Sequence, residues 1–220
     1  MKNIHLIIGG LLTVFFLFSC GGKKSSKEAV VSEAKEVTGE KGDELVVHTA
    51  KSAIYWKGFK PGGSHHGTLS LVSGQLFIQG EELLAGEVEL DMTSIKVEDL
   101  EPGELHNQLL NHLKSADFFD VETYPKGLFT ITSAKKIADE SYNYEISGNL
   151  SLKDQVKNIT FKANIIKDLG FYVATTEKFT IDRTLWGVNY GSKNIFKNLK
   201  DAFIEDDIEI SIRIVASLPL

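Results

Sequence analysis

The chain has 220 residues and a formal net charge of −6, from 24 Lys and Arg against 30 Asp and Glu. No basic run stands out in the part that reads as folded, which excludes a nucleic-acid surface built on clustered Lys and Arg. Thirteen Phe, six Tyr and two Trp are enough for a large apolar interior, and a domain of this length buries a core without disulfides or metal.

The N-terminus reads as an address rather than as structure. Lys2 precedes an almost unbroken apolar run from Ile4 to Phe18, too short for a comfortable membrane span and of the length of a signal-peptide core. The run ends Phe18-Ser19-Cys20-Gly21. A small residue before the sole cysteine resembles the bacterial lipoprotein signal, with Phe18 bulkier than is usual at its position. The expectation is cleavage after a signal peptide of residues 1–19, acylation of Cys20, and attachment to a membrane of the bacterial cell envelope through that residue. With Cys20 acylated no free thiol remains, so disulfides and thiolate metal sites are excluded. Residues 20–43 are rich in Gly, Ser, Lys and Glu and lack aromatics, which predicts a lipidated flexible tether.

A single folded domain is predicted over 44–220. Val46, Val47, Ile54, Tyr55, Trp56 and Phe59 open it as strand, and Pro61-Gly62-Gly63 turns the chain. Short strands around His66–Leu71 and Gln75–Gln79 follow, then one in which Val88, Leu90 and Met92 oppose Glu87, Glu89 and Asp91. Leu105, Leu109, Leu113 and Ala116 recur at helical spacing and predict one short helix, with Leu105, Leu109 and Leu113 as its apolar face. An aromatic and acidic corner, Asp117-Phe118-Phe119-Asp120, then leads to Tyr124-Pro125, which disfavours more helix. Beyond it the alternation is regular. Tyr144, Ile146, Leu150 and Leu152 share a face, as do Ile159, Phe161, Ala163 and Ile165; Phe171, Val173, Phe179 and Ile181; and Ile208, Ile210, Ile212 and Ile214. Strands wet on one face and apolar on the other make antiparallel sheet, closed as a barrel or stacked as a sandwich. In a barrel, these apolar faces either pack on one another or line a lumen for an apolar guest.

Few polar residues point to chemistry. Arg183, one of two arginines, is a candidate for meeting a polar head group; the alternative is an ion pair with Asp182, Asp117 or Asp120. His65 and His66 are adjacent, so in a strand they face opposite ways and chelate poorly. His106 and His112 are not on one helix face. A metal-dependent hydrolase using these histidines is therefore a weak alternative. No nucleophile–base or phosphate-loop motif appears, so the chain reads as no enzyme, with no cofactor.

Several segments together resemble the YceI-like family of bacterial periplasmic and secreted proteins. These are Ser52-Ala53-Ile54-Tyr55-Trp56 with Gly58, His66-Gly67 with Gly74, Gly86-Glu87-Val88 through Asp91-Met92-Thr93-Ser94-Ile95, and Gly148 to Lys153. The most specific is His112 to Val121 followed by Tyr124-Pro125 and Phe129, and Ile181-Asp182-Arg183 with Gly187-Val188 and Tyr190-Gly191 completes the set. Two departures are Lys153-Asp154-Gln155 where a Gly is common and Trp186 where a Phe is common. The resemblance implies an antiparallel lipocalin-like β-barrel of about eight strands with one inserted helix. It also implies encapsulation of a long apolar lipid (an isoprenoid, a quinone or similar) in the lumen. The expected lining is Trp56, Phe77, Leu90, Phe129, Tyr144, Ile146, Phe161, Phe171, Phe179, Ile210 and Ile212, with Arg183 at a polar head. A filled barrel acting structurally or in stress through its surface is the alternative; the oligomeric state stays open.

Overall fold

The computed structural model describes residues 26–37 and 42–219; the expected signal peptide of residues 1–19 and the expected acylation site Cys20 lie outside them. Twelve strands occur among the described residues: β1 (Lys27–Glu28), β2 (Val30–Glu33), β3 (Asp43–Val47), β4 (Ala53–Lys60), β5 (Gly63–Gln79), β6 (Glu82–Val97), β7 (Lys126–Lys136), β8 (Tyr144–Leu152), β9 (Gln155–Asp168), β10 (Phe171–Thr176), β11 (Phe179–Asp182) and β12 (Asp207–Ser217). The helix α1 (Glu104–Lys114) sits between β6 and β7. Consecutive strands from β4 to β10 pair antiparallel, β10 pairs with β12, and β12 returns to β4. Eight strands thus close a lipocalin-like ring, which leaves most backbone donors and acceptors paired within the wall. β3 continues the line of β4 past a short 3-10 turn, Thr49–Lys51, and pairs with the same two neighbours.

Up-and-down connection sets the ends. The β4–β5 turn, α1 with its corner, the β8–β9 turn and the long loop 183–206 before β12 share one end, here the helix end. The β5–β6, β7–β8 and β9–β10 turns share the far end. The turns use the residues their geometry needs. Gly62, Gly80 and Gly170 take positive φ, and in the β8–β9 turn Lys153 takes φ 52°, a region glycine enters more easily. The lysine at this position has a second job: its Nζ donates to the carbonyl of Phe118 at 3.2 Å, tying the turn to the corner after the helix.

The tether reading of residues 20–43 fails in part. β1 runs parallel to β11, pairing Lys27 with Phe179 and Glu28 with Thr180. β2 runs antiparallel to β9, pairing Val30 with Thr160 and Glu33 with Lys157. The wall explains why. β10 and β9 pair as far as Thr176 and Ala163, but then β11 and β9 part, leaving an edge on each. Residues 27–33 fill that seam as a strap, with Ala29 buried and its N–H donating to Thr180 O at 2.9 Å. Beyond the strap, Lys35 and Asn149 exchange two hydrogen bonds, side-chain amide to backbone, at 2.9 and 2.7 Å. Composition had hidden a usable Val-Val pair among charges: Val31 packs on the core, while Val30 faces out.

Two strands differ from the expected faces. In β10 the lumen side is Tyr172, Ala174 and Thr176, so Phe171 and Val173 point outward, whereas Phe179 and Ile181 of β11 do point inward. The break at Glu177–Lys178 switches the phase, and a uniform alternation through it places β10 on the wrong side. The outward Phe171 ring lies edge-on to His48 at 5.4 Å with Lys51 over its face at 4.4 Å. In β5 the inward residues are Leu76 and Ile78, and Phe77 lies on the outer face beside a register shift.

Candidate functional site

The ring encloses a cavity of about 490 Å³. Its wall is built by the inward faces of all eight strands. β12 gives Ile208, Ile210, Ile212 and Ile214; β8 gives Ile146, Leu150 and Leu152; β9 gives Ile159, Phe161, Ala163 and Ile165. Of the residues expected to line it, Trp56, Leu90, Phe129, Ile146, Phe161, Phe179, Ile210 and Ile212 do so. Three do not. Phe77 and Phe171 face outward for the reasons above. Tyr144 keeps the inward phase but is buried in the far end, where its hydroxyl accepts the Leu83 N–H at 3.3 Å. Leu45, Leu69, Ile95, Tyr172 and Ile204 also line the cavity and were not singled out in the sequence. Tyr172 follows from the phase switch, Leu45 alternates with Val47 in the short β3, and Ile95 and Ile204 sit near a strand end and in a loop, where alternation carries little signal.

Aromatic rings shape one side of the lumen. Phe161 and Phe179 stack with centroids 4.7 Å apart and planes 1° from parallel, and Phe129 lies 5.7 Å from Phe161. The arrangement depends on Gly148. A Cβ there would fall 2.2 Å from Phe129 Cζ, so only glycine lets that ring lie against β8.

The corner signature closes the helix end. Leu109 and Leu113 of α1 face the lumen at i, i+4 spacing, and Phe118 and Phe119 join them. Leu105 does not belong to this face: it is 71% exposed, one turn beyond the barrel rim. Phe118 is held by rings on two sides, His112 at 5.1 Å and Tyr190 at 5.8 Å, with the Arg183 guanidinium 5.6 Å from its centroid.

Arg183 reaches the lumen wall, where its hydrogen bonds go to the protein itself and make it a buckle. It is only 2% exposed. Its guanidinium donates to the carbonyls of Val188, Ile204 and Glu205, the last two at 3.2 Å, and meets Asp206 Oδ1 at 3.5 Å. These bonds hold both ends of loop 183–206 to each other. The expected acids are not its partners; Asp182 instead caps the following turn by accepting from Thr184 N–H at 2.9 Å. Burial pushes the Arg183 pKa down, and Asp206 and then Asp182 oppose it. The Trp186 side chain, fully buried where a Phe is common, donates its Nε1–H to Leu150 O at 2.9 Å. A phenylalanine has no such donor.

The helix end also holds the entrance. Lys60, His65, Leu109 and His112 are shared between the lumen and a second cavity of about 310 Å³, lined further by Leu100, Leu105 and Gln108. This second space is a vestibule between the β4–β5 turn and α1. His65 is fixed there by Asp99, Nδ1 to Oδ2 at 2.8 Å. Burial pushes the Asp99 carboxyl up, but the His66 N–H and His65 together more than offset it, so its pKa lies below the usual value. Polar lining elsewhere is sparse and tied down: the Thr176 hydroxyl donates to Glu177 O and accepts from Ile212 N–H. Glu81 marks the far end. Among the described residues, no three His, Cys, Asp or Glu side chains gather as a metal site.

Comparison with known proteins agrees with this architecture. Protein YceI of Escherichia coli O6:H1 is 41% identical over 61 residues, which are 28% of this chain and 30% of that protein; the chain thus matches under a third of the length of that relative. Two solved structures share the fold. Burkholderia cenocepacia BcnA is 18% identical with a TM-score of 0.60, over 78% of this chain and 99% of that one. A polyisoprenoid binding domain from Saccharophagus degradans, implicated in plant cell wall breakdown, is 12% identical with a TM-score of 0.56, over 80% and 99%. The family model described as the YceI-like domain matches residues 45–216, every strand of the ring except the last residue of β12, and the chain therefore belongs to the YceI-like family.

Proposed function

We propose that this protein encapsulates a long apolar lipid, such as an isoprenoid or a quinone, and does no chemistry on it. The observation that carries the reading is the lumen itself: about 490 Å³ of space walled by aliphatic and aromatic side chains. The family membership and the printed description of the Saccharophagus domain as polyisoprenoid binding support it. Each methylene moved from water into such a wall gains about 0.8 kcal/mol. A tail of tens of carbons therefore gains enough to outweigh the ordering of the chain. The vestibule, with Lys60, His65 and His112, is where a polar end would emerge. The reading includes a place: the bacterial cell envelope, with the barrel attached to a membrane through acylated Cys20.

Solvent extraction of the purified protein followed by mass spectrometry tests the cargo. The expected result is a long-chain lipid near one equivalent per chain; repeated recovery of an empty protein that binds no added lipid refutes the reading. For the anchor, Cys20→Ala is expected to abolish fatty-acid labelling and membrane fractionation, and retention of both refutes it.

A further inference from the structure

The loop between Tyr190 and Ile204 is a separate feature at the lumen entrance. Its base is shut: Ile204 N–H donates to Gly191 O at 2.8 Å, and Glu205 N–H donates to Phe59 O at 2.9 Å. Tyr190, Ile204 and Glu205 line the lumen, so the excursion projects from the rim of the cavity. Within it, Phe196 N–H donates to Ser192 O at 2.8 Å, Asn194 Nδ2 donates to Asp206 at 2.7 Å, and Asn198 and Lys200 take positive φ. The loop is thus a built turn, and residues 193–198 at its tip are all exposed.

What the tip displays runs against the rest of the molecule. Residues 193–200 read Lys-Asn-Ile-Phe-Lys-Asn-Leu-Lys, with three lysines and no acid, on a chain of net charge −6. Ile195 and Phe196 are each 47% exposed. Lys193 is held by Glu205 at 3.1 Å, which leaves Lys197 and Lys200 as the outer cations. Adjacent apolar side chains flanked by lysines are the composition of an interfacial membrane anchor. The apolar pair enters the acyl boundary, and the cations meet anionic head groups.

We propose that residues 193–200 dock the helix end of the barrel on an anionic lipid bilayer, with Ile195 and Phe196 inserted and Lys197 and Lys200 on the head groups. The proposal rests on the lipid-carrier reading only for its purpose, since docking there sets the entrance against the source of an apolar cargo. The surface chemistry stands without it.

The test uses the full chain with Phe196→Trp, and separately with Ile195→Trp, mixed with bromolipid-containing vesicles. The vesicles are phosphatidylcholine alone or phosphatidylcholine with phosphatidylglycerol, and emission is compared with that of the unsubstituted chain. The new indole is expected to be quenched and blue-shifted on the anionic vesicles and much less on the neutral ones. The ratio of inserted to free loop, read from the quenching, is expected to fall about fivefold for each of Lys197→Gln and Lys200→Gln. No quenching at either position overturns the proposal, as does equal quenching on neutral vesicles. A blue shift that grows with protein concentration without vesicles assigns the loop to self-association and overturns it too. An empty lumen on extraction would sink the carrier reading while leaving this result untouched, so the two fail separately.

Discussion

Ile212→Trp would fill the lumen from its wall. Ile212 sits on β12 between Ile210 and Ile214, half-buried, packed on the core at its flanks and facing the cavity. Indole is larger than the isoleucine side chain by about six heavy atoms; at about 0.8 kcal/mol per displaced methylene, the loss of cargo affinity reaches about 5 kcal/mol. That is a weakening of a few thousandfold in Kd, an upper limit because a flexible tail can shift along the barrel. Stability behaves differently. In a packed core the same enlargement costs about 1–3 kcal/mol, which in a domain of this size lowers Tm by several degrees; in an open lumen Tm is expected to stay within about two degrees of the parent. The assay pairs thermal unfolding with titration of a fluorescent polyprenyl or fatty-acyl probe, and with lipid stoichiometry after extraction. Unchanged probe affinity with unchanged Tm refutes the lumen as the binding site. A large fall in Tm refutes the claim that the space is open.

Three further outcomes are expected. Phe118→Ala removes the ring on which His112, Tyr190 and Arg183 converge, and about 3–5 kcal/mol of stability is expected to go with it; loss of probe binding with unchanged denaturant midpoint would make the corner a gate instead. Arg183→Ala leaves three carbonyls without their donor and the buried Asp206 carboxylate without its cation, with only Asn194 still donating to it, a loss of about 3–5 kcal/mol, and hydrogen exchange is expected to rise first across loop 183–206; uniform exchange throughout the barrel would contradict the buckle. The Asp139 carboxyl is pulled to a pKa of about 2 by Lys162 and then by the N–H groups of Ser141 and Tyr142. Because the folded value lies below the unfolded 3.8, its contribution is present above that pH and is lost as the pH falls toward 2. Asp139→Asn is expected to flatten that part of a Tm–pH curve, and an unaltered curve would show the pair to be inert.

What the sequence made legible depended on periodicity. The isoleucines of β12 and the faces of β8 and β9 needed only the two-residue period, and all of them but Tyr144, buried at the far end, line the lumen. The period misled where the backbone slips: at Glu177–Lys178 the phase of Phe171 reversed, and the register shift between Leu71 and Ser73 moves the inward phase of β5 from Leu69 to Leu76 and Ile78, which leaves Phe77 outside. Leu105 kept helical spacing with Leu109, but helix phase says nothing about where the barrel rim ends. Arg183 stands out in the sequence as one of two arginines, yet its partners are mostly backbone carbonyls, which no side-chain pattern can reveal. The strap escaped because composition averages over a segment, whereas an unpaired seam rewards even a few residues that fit it.

That seam has a consequence for where the chain can be cut. The family-matched residues, 45–216, contain all of β4 through β11 and nearly all of β12, the lumen and the buckle, yet omit residues 27–33. A protein trimmed to that span would keep its binding wall and lose its hem. The upper part of β9 and the free side of β11 would then be raw sheet edges, and such edges recruit strands from other molecules. Trimmed chains should thus pair through a borrowed strand, and concentration-dependent oligomers would reflect a missing selvedge rather than a natural assembly.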